Sequence, residues 1–202
     1  MDKQALTQAI CHAFSAGSYP GDTNLVYNNS DEHWDCKATR EAFKGKQWQE
    51  LDNDFIFNER DRIFFLSKEG FRYYLPAFLI ALVNNFYEMD TLCDIITGKL
   101  TLPAEIDIMI MSHELHKYQM KGQQHQLQLD LFLQKQFEET NNDIQHYIDY
   151  MSLFSKKQGY AIRCFLEYMN DNYRDDLAYD PGIALKRYWF QFVDPDIQDS
   201  RI

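Results

Sequence analysis

Proline and glycine are scarce, with 5 and 8 residues in a chain of 202. Folds built from many short strands need frequent tight turns, so this scarcity counts against an all-β architecture. Clustered basic residues are missing as well. Residues 1–100 carry 10 Lys and Arg against 15 Asp and Glu, and residues 101–202 carry 10 against 16. Binding of nucleic acid requires cations gathered against phosphates, so no nucleic-acid partner is expected. The longest apolar run, residues 75–83, is far short of a membrane span, and no membrane association is expected. The opening residues Met1-Asp2-Lys3-Gln4 have no apolar stretch of the signal-peptide kind, so the expected location is cytoplasmic. Cysteine is sparse. Cys11, Cys36, Cys93 and Cys164 are far apart with no CxxC pair, and they read as reduced, mostly buried thiols.

Aromatic residues, in contrast, are abundant: 15 Phe, 13 Tyr and 3 Trp, or 15% of the chain. Because aromatics bury large areas, a chain of this length can build a sizeable core. The apolar fraction of 45% and charged fraction of 25% are those of an ordinary globular protein, read here as one domain over 1–202. The net charge of −11 favours a basic protein partner through complementary potentials, unless it serves solubility alone.

Hydrophobic periodicity predicts a mostly α fold with at most a short strand pair. In residues 3–16, Leu6, Ala9, Ile10, Ala13 and Phe14 recur at helical spacing, and Gly17 ends the pattern. A polar loop follows over 17–34, with Pro20-Gly21 as a turn signal. Short helices are predicted over 35–43, stopped at Gly45, and over 52–57. Ser67 is an N-cap with Glu69 in the first turn, opening a helix to about residue 87 with a kink or break at Pro76. That helix is apolar on most faces and is expected at the centre of the core. Residues 91–97 form a short helix. Residues 100–111 are ambiguous, because Ile106, Ile108 and Ile110 alternate as in a strand while Ile106, Met109 and Ile110 fit a helix. Two further helices are predicted over 123–137, with Leu127, Leu131 and Phe132 on one face, and 141–154, with Ile144, Tyr147, Ile148 and Met151 together. Ser155 caps a helix to about 173, and Asp180-Pro181 starts the last one.

Chemistry-bearing motifs are thin. His113-Glu114-Leu115-His116 has its histidines at i, i+3 instead of the i, i+4 of a helical zinc site, and no third ligand is evident. Asp52-Asn53-Asp54 lacks the later oxygen ligand and glycine of a calcium loop. Gly45-Lys46 lacks the earlier glycine of a phosphate loop. No metal and no cofactor are expected. Cys36 has His33 nearby as a base, but the adjacent Asp35 opposes thiolate formation. The loop residues Asp22, Asn24, Trp34, Asp35 and Trp48 combine carboxylates with indoles, which suits a pinned loop or a recognition surface.

Pro20-Gly21-Asp22-x-Asn24, Phe43-Lys44-Gly45-Lys46-x-Trp48, Gly70-Phe71-Arg72-Tyr73-Tyr74-Leu75-Pro76-Ala77-Phe78-Leu79 and Ala161-Ile162-Arg163-x-Phe165-Leu166-Glu167-Tyr168 together resemble a family of small uncharacterised bacterial proteins. The resemblance covers most of the chain outside residues 110–145. It transfers no activity and no catalytic residue, but proteins of this type are associated with immunity to secreted bacterial toxins. The leading expectation is a non-enzymatic, cytosolic protein-binding module of the immunity type. It would occlude a basic toxin domain with an acidic surface made of Asp22, Asp31, Glu32 and Asp35 and anchored by Trp34. Two alternatives stand beside it: a hydrolase-like enzyme using Asp22, Asp35, Cys36 and a histidine, and a homo-oligomeric helical scaffold.

Overall fold

The computed structural model describes residues 1–117 and 123–195. They are mostly α, as the periodicity predicts. Among the described residues no strand forms, and the one β feature is an isolated antiparallel bridge between Val26 and Leu66. No helix among them is long and apolar enough to cross a membrane. The helices are α1 (Lys3–Phe14), α2 (Trp34–Phe43), α3 (Asn53–Asn58), α4 (Lys68–Asn85), α5 (Leu92–Lys99), α6 (Glu105–Lys117), α7 (Gln123–Met151), α8 (Lys156–Tyr173) and α9 (Pro181–Arg187). The chain was read from its sequence as one domain. Its contacts fall into two compact units, one of residues 1–101 with 152–195 and one of 102–151.

The larger unit is organised around α4. Ser67 caps it, accepting the Gly70 N–H at 3.0 Å, and Glu69 lies in the first turn as expected. Twelve of its eighteen residues are buried, so neighbours must enclose it on most sides. α1 packs on it through Leu6, Ile10 and Phe14, and α1 also packs on α8. Each large apolar side chain so buried is worth about 1.5–3 kcal/mol. Of the kink or break expected at Pro76, the break does not occur. The helix runs through this residue, whose ring is buried with its neighbours, so packing around α4 outweighs the lost backbone hydrogen bond. The Tyr74 hydroxyl lies 2.9 Å from the Phe43 carbonyl and 2.8 Å from that of Lys46. It thereby ties the end of α2 to α4, just where Gly45 turns the chain at φ 68°. Burial pushes the Tyr74 phenol well above its ordinary pKa.

α8 opens with the capping pair Ser155 and Gln158 and buries Ala161, Ile162, Cys164, Phe165, Leu166 and Met169. α9 starts at Asp180 and Pro181 as predicted, the Asp180 carboxylate accepting the Gly182 N–H at 2.7 Å. Three of the four cysteines are buried and all are free thiols.

The smaller unit is a helical hairpin of α6 on α7, and here three expectations change. Residues 105–117 form a helix, which resolves the ambiguity of the isoleucines. Ile108 faces α7 with Leu129 and Leu133, whereas Ile106 and Ile110, four residues apart, share the exposed side. The two helices predicted over 123–137 and 141–154 are one continuous helix, α7, which passes through the exposed Asn141 and Asn142. The face read from Leu127, Leu131 and Phe132 is not the one that packs on α6. Leu131 and Phe132 are exposed, and the i, i+4 pair Leu129 and Leu133 is buried instead. A segment with leucine at every second position offers more than one apolar stripe, and the partner helix decides which is used. The side chain of Leu127 lies outside the described residues.

Candidate protein-binding face

The polar loop before α2 is held from beneath. Leu25 and Val26 are buried, and their backbone pairs with the segment entering α4: Ser67 N–H donates to the Leu25 carbonyl at 2.9 Å and Tyr27 N–H to the Phe65 carbonyl at 3.3 Å. The Ser67 hydroxyl adds a bond to the Asn24 carbonyl at 2.5 Å. A loop without periodicity is thus stapled to the best-buried helix of the protein. Gly70 lets this happen, because a Cβ there would sit 2.4 Å from the Leu25 oxygen.

Tyr27 emerges from the staple with its ring against Phe65 and edge-on to His33, ring centres 6.5 Å and 5.4 Å apart. His33 is the N-cap of α2, its Nδ1 accepting the Cys36 N–H at 3.3 Å. That bond assigns the ring proton to Nε2, which lies 3.0 Å from the Tyr27 hydroxyl. The Tyr27 phenol is pushed above its ordinary pKa by burial first, then by Cys36 and Asp35 beside it.

This cap orients the residue that follows it. Trp34 is the first residue of α2, and it is 82% exposed. Among the described residues its indole N–H has no hydrogen-bond partner. Cys36, Thr39 and Phe43 take the inward face of the same helix, leaving Trp34 outside. Its sequence neighbours are acidic. Asp31 is exposed and pairs with Lys37 at 3.4 Å and Arg40 at 3.5 Å. Glu32 and Asp35 are exposed and make no ion pair among the described residues. Asp35 also lies in the first turn of α2, where a carboxylate suits the helix dipole.

Of the five residues predicted to bind a partner, Asp31, Glu32, Trp34 and Asp35 therefore lie on or next to one helix start. Asp22 has a different role. It is half-buried in a 3-10 turn and accepts the Tyr19 hydroxyl at 2.5 Å, while that hydroxyl accepts the Gly45 N–H at 2.9 Å. Burial, followed by the Asp22 bond, pushes the Tyr19 phenol up to about 12. Trp48 is buried, and Asn24 contributes a carbonyl to the staple. The sequence reading missed Tyr27, and it took His33 as a base for Cys36 instead of the cap of α2. The position of His33 immediately before a helical pattern is the signal for its capping role.

The residues of the enzymatic alternative are arranged unfavourably for it. Cys36 is buried, and the lone pair of His33 Nδ1 is occupied by a backbone N–H, so this histidine does not stand ready to deprotonate the thiol. None of Asp22, Asp35 and Cys36 lines the cavity beside Arg72, the one beside Leu51 or the one beside Lys99. Among the described residues no three His, Cys, Asp or Glu side chains come together as metal ligands. His113 is exposed on α6, and the side chain of His116 lies outside the described residues. Comparison with protein-family models, curated proteins and solved structures finds no match to this chain.

Proposed function

We propose that this chain is a protein-binding module that captures a basic partner through Trp34 and the carboxylates of Asp31, Glu32 and Asp35. The observation that carries the reading is the exposed indole on a rigid, capped helix start. An aromatic ring of this size has only two side-chain torsions to order on binding, stands here on a capped helix start, and belongs to the residue types most enriched among interface anchors. The carboxylates around it and the net charge of −11 would speed encounter with a positive surface and weaken as salt screens them. In its narrower form the proposal is an immunity-type inhibitor that works in the cytoplasm and occludes a bacterial toxin domain, as the family resemblance implies.

The test begins with the tagged protein as bait in its native cells and identification of any stoichiometric basic partner. Against that partner, Trp34→Ala is expected to weaken binding by at least about 30-fold, the loss typical of a central anchor of 2 kcal/mol or more. Asp31→Asn, Glu32→Gln and Asp35→Asn together are expected to slow association and flatten its salt dependence. Cells producing a toxic partner should survive with the wild-type protein and not with Trp34→Ala. Full affinity and full protection by Trp34→Ala would remove this face from consideration.

A further inference from the structure

We propose that the cavity beside Arg72 binds a small zwitterion of the free amino-acid type, its carboxylate on Arg72 and its ammonium on Glu69. The cavity measures about 270 Å³ and opens between the first turns of α4 and α8, with the end of α1 and residues 16–20 closing one side. Its size is at the lower end for ligand sites, suited to an amino acid and too small for a nucleotide. Phe14, Pro20, Tyr73 and Leu153 supply apolar and aromatic wall.

Two opposite charges line it without meeting. Glu69 and Arg72 are three residues apart on α4, the spacing at which such side chains ordinarily pair. They make no ion pair. Arg72 is half-buried, and its Nε donates at 3.2 Å to the Gln158 side-chain oxygen. That oxygen also accepts the Ser155 N–H at 3.1 Å, so the cap of α8 holds the guanidinium in place and away from Glu69. Among the described residues, the two terminal guanidinium nitrogens have no hydrogen-bond partner. A carboxylate fits this fork in bidentate geometry. The first-turn position of Glu69 answers the dipole of α4, but that leaves the open nitrogens of Arg72 without an explanation.

The carboxylate of Glu69 decides the ligand class. A plain anion would bind Arg72 but meet Glu69 at the rim, and a plain cation would meet Arg72. A molecule carrying both charges a short distance apart satisfies both groups, and its side chain can lie against the apolar wall. The cavity shares no residue with the Trp34 face, so this inference stands apart from the proposed function.

The experiment is titration calorimetry on the full chain with L-phenylalanine, L-leucine, 3-phenylpropionate and phenethylamine. L-Phenylalanine or L-leucine is expected to bind. 3-Phenylpropionate, which lacks the ammonium, and phenethylamine, which lacks the carboxylate, are each expected to bind at least about tenfold more weakly, the loss of one charge-assisted contact. Arg72→Gln should abolish the preference for a carboxylate. Because that change also disturbs the Gln158 contact, Glu69→Gln at the exposed rim is the second variant. It should narrow the gap between L-phenylalanine and 3-phenylpropionate at no more than the small stability cost of a lost first-turn charge. Three results would overturn the proposal: no binding of either amino acid at millimolar concentration, equal binding of the amino acid and its deaminated analogue, or an unchanged preference in Glu69→Gln.

Discussion

Trp189→Ala is expected to lower the thermal midpoint by roughly 6–20 °C, from a loss of about 3–5 kcal/mol and the 2–4 °C per kcal/mol usual at this chain length. Trp189 lies in the turn after α9 and is fully buried. Its ring centre is 5.4 Å from that of Phe192 and 6.2 Å from that of Phe154, which in turn meets Phe14 of α1 and Phe71 of α4. The indole Nε1–H donates to the Leu100 carbonyl at 2.7 Å, at the end of α5. Truncation therefore removes an anchor between elements far apart in sequence, leaves a cavity the size of an indole and removes the hydrogen bond to Leu100. The two costs can be separated. Trp189→Phe keeps most of the packing and loses the hydrogen bond, so it should cost about 0.5–1.5 kcal/mol for that bond plus a smaller cavity term. Calorimetric scans of the three proteins decide it. If Trp189→Ala left the midpoint within a degree or two of the wild type, the turn after α9 would be an ornament on the fold and its burial would carry no stability.

Trp189 also shows where sequence reading reaches and where it stops. The start of α9 was legible because Asp180 and Pro181 state a local rule, an acceptor for orphan N–H groups followed by a residue whose missing N–H costs nothing there. The caps at Ser67 and Ser155 and the stop at Gly45 were legible for the same reason. The partner of the indole N–H was not, since Leu100 is 89 positions away and nothing local marks its carbonyl. Pro76 and the leucines of α7 failed in the other direction. A local rule offered a kink or break at Pro76 and one apolar stripe on α7; the helix runs on through the proline, and packing uses a different stripe. At the candidate face, the exposed indole and its acidic neighbours could be read as a composition of residues in an aperiodic segment. The separation of Asp22 from that group could not, because it depends on Tyr19 and Gly45, one near in sequence and one far. The cavity beside Arg72 was invisible for the same reason. Glu69 and Arg72 stand three residues apart on α4, and nothing local signals that Gln158, 86 positions away from Arg72, takes the guanidinium.

Gly70→Ala is expected to destabilise the protein by about 2–3 kcal/mol, although alanine is the better helix former by up to about 1 kcal/mol. The added methyl would stand 2.4 Å from the Leu25 carbonyl oxygen and 3.2 Å from its carbon. The collision is with backbone, so no rotamer change relieves it. Nor can the carbonyl swing aside freely, because it accepts the Ser67 N–H, and the Ser67 hydroxyl is committed to both the Asn24 carbonyl and the Gly70 N–H. Moving Leu25 away loosens those bonds, each worth about 1 kcal/mol, and overpacking adds about 1–3 kcal/mol. Gly98→Ala is the control. It too puts alanine into a helix, α5, but its methyl meets only the Tyr179 ring at 3.6 Å, an ordinary contact, so the helix preference should prevail and the midpoint should hold or rise. The two variants are thus expected to move in opposite directions for the same change of residue. Hydrogen exchange would localise the effect. In Gly70→Ala the amides of Tyr27 and Ser67 should lose protection while those of α8 keep theirs. Binding through Trp34 should weaken beyond what the lost stability accounts for, since the same staple carries the loop that leads into α2. Equal midpoints for the two alanine variants would mean that the close approach of Leu25 to α4 is not what holds this face in place.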